Sequence, residues 1–188
     1  ADGLAAGKGA IVTKGRDEAL EAVRRVMVDR MFGSAGDRVV IEERLRGPET
    51  SILALTDGEH LVVLPPSQDH KPIGEGDTGL NTGGMGAYSP VPLVDDSLLN
   101  RIVKTILRPT IRAMKLEGCP YRGTLYAGLM IVNGDPYVIE FNCRFGDPET
   151  QVILPRLEGD LIPILNACID GCLNPDLVRW SPDPCVCV

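Results

Sequence analysis

The sequence predicts an α+β fold in which antiparallel sheets are flanked by helices. Three observations carry that prediction. Asp57-Gly58 and Asn133-Gly134 each join two short runs rich in aliphatic and β-branched residues, the strongest local signal for a hairpin. Two other stretches, near residues 17–31 and 95–117, repeat apolar residues at helical spacing. Helices therefore interleave with hairpins rather than with single strands, which argues against a doubly wound parallel sheet.

Each element has its own local reason. Residues 9–13 read as a short strand leaving a glycine-rich turn. Leu20, Val23, Met27 and Met31 form the apolar stripe of an amphipathic helix, with Glu21 four residues before Arg25, and that stripe should lie on a sheet. Residues 38–45 are rich in Val and Ile and read as a strand; 51–56 and 60–64 form the first hairpin. Residues 65–92 hold six glycines and five prolines in 28 positions with almost no apolar period. A loop of that length is functional or disordered. Leu98, Ile102, Ile106 and Met114 predict a long helix over 95–117, kinked or broken at Pro109. Residues 124–132 and 136–141 form the second hairpin, 149–158 and 160–171 read as short helices, and the remainder predicts no definite element.

The chain has 188 residues, 44% apolar and 24% charged, with a formal net charge of −7. This is enough apolar content for a real core and excludes wholesale disorder. The acidic balance, with no cluster of Lys and Arg, argues against nucleic acid as a partner. No apolar run approaches the roughly 20 residues that span a bilayer, and no basic segment precedes an apolar one at the N-terminus. Cys119, Cys143, Cys168, Cys172, Cys185 and Cys187 lack zinc-site spacing and read as small buried hydrophobes in a reducing cytosol. The chain starts at Ala1 and ends on Cys-Val-Cys-Val, so a piece of a longer protein is expected.

Four segments could carry chemistry. Gly3-Leu-Ala-Ala-Gly7-Lys8-Gly9 is a turn whose N–H groups and lysine suit phosphate oxygens, although it is not a Walker loop and reads equally well as a solvated turn. In Glu140-Phe-Asn142-Cys-Arg144-Phe145 the strand period sets Glu140, Asn142 and Arg144 on a polar face, and Phe141, Cys143 and Phe145 on a core face. A carboxylate and an amide oxygen two residues apart suit Mg²⁺, the alternative being a solvated stripe on an edge strand. The Gly146-Asp147-Pro148-Glu149 turn adds two carboxylates beside it. In the long loop, Gly83 and Gly84 present consecutive N–H groups as an anion nest, with Thr82 adding a hydroxyl; a linker is the alternative there. Glu42-Glu43-Arg44-Leu45 with Glu49 is a strand end that is either solvated or frames a purine.

Taken in order, Ala1-Asp-Gly-Leu-Ala-Ala-Gly-Lys-Gly9, Val40-Ile-Glu-Glu43, Gln68-Asp-His-Lys71, Asn81-Thr-Gly-Gly-Met-Gly-Ala-Tyr88 and Glu140 through Gln151 resemble the ATP-grasp part of the glycinamide ribonucleotide synthetases, the phosphoribosylamine–glycine ligases. The resemblance covers nearly the whole chain and weakens after about Gly171. It implies an ATP-grasp fold with the active site between subdomains: 1–64 as the smaller, nucleotide-covering one, 65–171 as the larger one with substrate loop and metal site, and 172–188 as the start of a truncated C-terminal region. It also implies ligation of glycine to 5-phosphoribosylamine through glycyl phosphate, with ATP and Mg²⁺ or Mn²⁺, in cytoplasmic purine biosynthesis. Fusion to further purine-pathway domains is compatible with it.

Carried over residue by residue, Gly7, Lys8 and Gly9 would hold ATP phosphates. Glu42, Glu43 and Leu45 would meet adenine and Glu49 the ribose hydroxyls. Glu140 and Asn142 would carry the metal. Asp77, Thr82, Gly83, Gly84 and Arg144 would face the substrates, Arg144 as the catalytic cation suited to bidentate phosphate or carboxylate recognition. The chain departs from many ATP-grasp enzymes at Ala127-Gly128-Leu129, where they carry a further acidic ligand. The family's lysine before Ala1 lies outside the chain, so the 188 residues alone are expected to have no ligase activity. Another ATP-grasp carboxylate–amine ligase and a non-catalytic nucleotide-binding module are the alternatives.

Overall fold

The structure is a computed structural model that describes residues 1–188 apart from Leu4, Ala6, Gly7, Lys8 and Asp77; at Pro72, Gly79, Leu80, Asn81 and Leu177 only the backbone is described. It divides into two compact units, Ala1–Leu45 and Arg46–Val188. The first hairpin is laddered into the sheet of the second unit.

In the first unit, α1 spans Arg16–Met27 and a 3₁₀ turn spans Gly33–Gly36. Asp17 and Glu18 lie in the first turn of α1 and Arg24 and Arg25 in the last, complementing the helix dipole. The supporting ion pair is Glu21–Arg24 at 3.4 Å rather than Glu21–Arg25. Residues 9–13 and 39–46 are irregular, not the two strands the sequence predicts, and no sheet is present among the described residues of this unit. β-Branched side chains favour a strand only where a ladder partner exists. Without one, Val12, Val40 and Ile41 stay exposed, and so does Leu20 on the stripe expected to face a sheet.

The second unit is built on a four-stranded antiparallel sheet in the order β2-β1-β7-β8, where β1 is Glu49–Thr56, β2 Leu61–Val63, β7 Gly123–Val132 and β8 Asp135–Asn142. Both predicted hairpins form. Asn133 and Gly134 take positive φ of 52° and 86°, the pair of left-handed residues that matches the twist of antiparallel strands. The first turn is held by Asp57, whose carboxylate accepts from the N–H groups of Glu59 and His60 at 2.9 and 2.7 Å.

Both faces of the sheet are covered. Ile52 and Ala54 of β1, with Leu125, Ala127 and Leu129 of β7, pack under Ile102, Leu107 and Ile111. Leu53, Leu55 and Tyr126 face the other way, onto Val152, Ile153 and Cys168. Each such aliphatic burial contributes about 1.5–3 kcal/mol before the entropy of ordering is set against it. The helical cover on the first face runs unbroken from Asp96 to Leu116: α2 (Asp96–Ile102), a π turn (Val103–Leu107) and α3 (Arg108–Leu116). Pro109 therefore does not break the run. The widened turn just before it absorbs the missing N–H, a usual role for π insertions.

On the second face, the helix predicted over 149–158 ends early. α4 covers Glu149–Ile153, a 3₁₀ turn follows at Leu154–Arg156, and β9 occupies Leu157–Glu158. Pro155 is the reason, since it cannot donate to the carbonyl of Gln151; the Cys185 thiol approaches that carbonyl instead, at 3.8 Å. α5 is Leu161–Asp170, capped by Asp160.

The supposed loop 65–92 is laddered. β3 (Gln68–Asp69) pairs with β6 (Ala87–Ser89), and β4 (Pro72–Gly74) pairs with β5 (Thr78–Asn81). Near the C-terminus, β10 (Arg179–Trp180) pairs with β9 and β11 (Cys185–Cys187) pairs with β6. The cysteines also depart from expectation: only Cys168 is buried, while Cys119, Cys143 and Cys172 are exposed and Cys185 and Cys187 are half-buried.

Candidate active site

The site grows from the pleat of the central sheet. Ser51 of β1 lies opposite Gly128 of β7, and Gly128 opposite Glu140 of β8, so the three form one row across the sheet. The neighbouring row is Leu53, Tyr126 and Asn142. A register shift after Gly128 brings Glu140 into its row: Leu129 pairs with Val138 and Gly128 with Glu140, leaving Ile139 as the extra residue. Bulges of this kind re-aim side chains next to functional sites. The expected core face of β8 is not buried: Phe141 stands opposite core residue Ala127 but on the edge strand, so it and Cys143 are exposed and only Phe145 packs against the core.

A Cβ at Gly128 would stand 3.1 Å from Glu140 Cγ and 3.4 Å from Tyr126 Cε1, so the Glu140 side chain lies over that glycine. Asn142 Nδ2 donates to Glu140 Oε1 at 3.2 Å, which holds a carboxylate and an amide oxygen side by side. Among the described residues no three His, Cys, Asp or Glu side chains gather as a metal site. Two hard oxygens nevertheless fit Mg²⁺, which takes the rest of its shell from phosphates and water.

Above these rows, Glu149 is 2% exposed and its Oε1 accepts from Tyr126 Oη at 2.8 Å and Ser51 Oγ at 3.0 Å. Burial, with Glu149 adding to it, drives the Tyr126 hydroxyl above its ordinary pKa, so it stays a donor. Lys71 Nζ lies 3.0 Å from Glu49 Oε2 and 3.8 Å from Asp69 Oδ2. Burial works against the ammonium, but Asp69, Glu49 and Glu140 outweigh it and hold its pKa above the usual lysine value. Asp69 is raised as well: its own burial dominates, with Glu149 and Glu49 adding to it against Lys71.

The Thr82–Gly84 turn is tied to the same lysine. Thr82 donates to the Lys71 carbonyl from both N (2.7 Å) and Oγ1 (2.9 Å), and Gly84 N donates to Thr82 Oγ1 at 3.1 Å. Within the expected anion nest, the Thr82 hydroxyl and the Gly84 N–H are thus committed to the turn itself. Gly84 has φ +131°, and a Cβ on it would come within 2.5 Å of Pro148 Cδ, so only glycine lets this turn sit against the Gly146–Glu149 segment.

Of the residues singled out in the sequence, Glu49, Thr82, Gly83, Gly84, Glu140 and Asn142 belong to the second unit, around this polar face. Arg144 is exposed beside them, its Nη1 donating to the Phe145 carbonyl at 2.8 Å. Gly9, Glu42, Glu43 and Leu45 belong to the irregular backbone of the first unit. Gly7, Lys8 and Asp77 lie outside the described residues. Sequence reasoning gave no role to Ser51, Tyr126, Asp69 or Lys71. The signal for the first two is a hydroxyl on β1 or β7 in the row of Gly128 or of Asn142.

The model of the phosphoribosylglycinamide synthetase ATP-grasp (A) domain matches residues 1–150. The chain belongs to that family. It is 53% identical over 189 residues to a phosphoribosylamine–glycine ligase of Rhodopirellula baltica, covering all of this chain and 43% of that protein. It is 54% identical over its whole length to a trifunctional purine biosynthetic protein, adenosine-3, of Bos taurus, of which it covers 18%. The crystal structure of the phosphoribosylamine–glycine ligase from Thermotoga maritima aligns with a TM-score of 0.87 at 35% identity, over 99% of this chain and 46% of that one. The chain therefore spans less than half the length of these relatives. Its ATP-grasp fold is that of the family, with mixed helices and antiparallel sheet.

Proposed function

We propose that this chain is the ATP-grasp core of a ligase that joins glycine to 5-phosphoribosylamine, giving glycinamide ribonucleotide, ADP and phosphate in purine biosynthesis. The observation that carries the reading is the seating of the Thr82–Gly84 turn on Pro148, in the segment that follows the paired oxygens of Glu140 and Asn142 along the chain. A glycine-rich turn held against the end of a metal-competent strand suits phosphoryl transfer to a carboxylate.

In this reading a glycine carboxylate oxygen attacks the γ-phosphorus and the bond to ADP breaks. The amine nitrogen of phosphoribosylamine then attacks the acyl carbon, inorganic phosphate leaves, and the nitrogen gives up a proton. Glu140 and Asn142 would hold a divalent ion, Mg²⁺ or Mn²⁺, whose charge offsets that of the transferred phosphoryl group. Gly7, Lys8 and Gly9 would hold phosphates, and Glu42, Glu43 and Leu45 the adenine. Glu49, with one oxygen on Lys71, would offer the other to the ribose. Asp77, Thr82 and Gly83 would face the substrates, and exposed Arg144 would pair with a phosphate or carboxylate.

The cytoplasm is the proposed compartment, in keeping with six cysteines outside any disulfide and with no helix among the described residues long and apolar enough to cross a membrane. Fusion to other purine-pathway domains, as in the adenosine-3 relative, is compatible with the reading. The test is ADP release by the full-length protein that carries this chain. Release should require both glycine and phosphoribosylamine, and Glu140→Ala should lower it by at least about 100-fold, the scale of losing an electrostatic stabiliser of the transition state. Release that ignores glycine, or that survives Glu140→Ala, overturns the assignment.

A further inference from the structure

Lys71 is held at both ends. Its ammonium reaches Glu49 on β1 at 3.0 Å, and a third of the side chain remains exposed. Its carbonyl takes both the N–H and the hydroxyl of Thr82. On the preceding residue, the His70 backbone exchanges bonds with the other end of the same turn, to the Gly86 carbonyl at 2.9 Å and from the Met85 N–H at 2.7 Å. The turn is thus tied by backbone bonds to residues 70 and 71, and residue 71 is tied to the central sheet by its charge.

From this geometry we infer that Lys71 is a positioning residue: its ion pair with Glu49 fixes where the Thr82–Gly84 turn stands over β1 and β8, and so sets the affinity for the substrate that the turn receives. The inference rests on the function proposed above for that turn. The ion pair can act in this way because Glu49 lies on β1 and is paired with Met130 of β7. Opposite Lys71, Gly84 meets Pro148, so the turn is clamped between the ion pair and the Gly146–Glu149 segment. Releasing one side of that clamp frees the turn, while Glu140, which also feels the Lys71 charge, keeps its hydrogen bond from Asn142.

The experiment uses the full-length protein and two readouts, backbone amide exchange and steady-state kinetics. In Lys71→Met, exchange at residues 82–85 should rise by at least about tenfold while amides of β1 and β7 keep their protection, the pattern of a local opening. The KM for phosphoribosylamine should rise about tenfold with kcat changing much less, the mark of lost binding rather than of lost transition-state contact. Lys71→Arg, which keeps the ion pair, should restore both.

If Lys71→Met does not fold, Glu49→Gln read by exchange alone asks the same question from the other end. Unchanged exchange at 82–85 in a folded variant overturns the proposal. A kcat lowered about 100-fold with exchange unchanged also overturns it, because Lys71 would then touch the reacting groups themselves. Absence of any ligase activity in the unaltered protein defeats the functional reading only, since exchange still reports whether the ion pair holds the turn.

Discussion

Asp57 is the residue whose chemistry most directly supports the fold. It is 4% exposed, accepts from the N–H groups of Glu59, His60 and, at 3.0 Å, Leu173, and has His60 Nδ1 3.0 Å from its second oxygen. Burial alone would raise its pKa, but the hydrogen bonds from His60, Glu59 and Leu173 prevail and hold it well below the ordinary carboxylate range. A carboxylate depressed in the folded state stabilises above its unfolded pKa, and that contribution is lost as pH falls toward the folded value. Asp57→Asn should therefore cost about 1–3 kcal/mol near neutral pH, and its deficit against the unaltered protein should shrink as pH drops below about 5. Urea unfolding of both proteins along a pH series measures it; a deficit that stays constant down to pH 3 contradicts the assignment. Asp57 was legible in the sequence only as a turn residue. Its bond to Leu173, 116 positions away, depends on α5 delivering the chain back to the first hairpin.

At the scale of elements, the hairpins were readable and the register was not. Asn133-Gly134 announces a tight turn because few other residues tolerate two left-handed positions in succession. Gly134→Ala should place a side chain at φ +86° and destabilise the second hairpin by roughly 1–2 kcal/mol. A lower urea midpoint at an unchanged slope is the expected result, and an unchanged midpoint counts against a strained turn. The bulge at Ile139 left no such mark. Simple alternation gives Phe141 to a core, whereas the edge position of β8 leaves it in solvent; the register shift sets Glu140 opposite Gly128. The ladders inside 65–92 escaped detection for a related reason: strands of two to four residues carry no period, and their pairing with Ala87–Ser89 and with each other is a tertiary event.

For the whole molecule, the chain divides at Leu45/Arg46 into two compact units. Residues 39–46 are irregular and flanked by exposed basic side chains at Arg44 and Arg46, the usual character of a connection between compact units. Brief trypsin treatment of the full-length protein should cut after Arg44 or Arg46 well before it cuts inside β1 or β7. Early cleavage within residues 49–56 or 123–132 contradicts the division.

The sequence by itself determined the α+β class, the two tight hairpins, the helical stretches and, through five ordered segments, the ligase family, because turn chemistry, helical spacing and short motifs are local properties. It also named Glu140, Asn142 and the Thr82–Gly84 turn. Tertiary structure alone decided that Lys71 spans Glu49 and Thr82, that Glu149 is buried under Ser51 and Tyr126, and that Gly84 rests against Pro148. Those contacts join residues 11 to 98 positions apart. No local pattern encodes them, since they exist only once the ladders of the sheet have brought distant segments of the chain together.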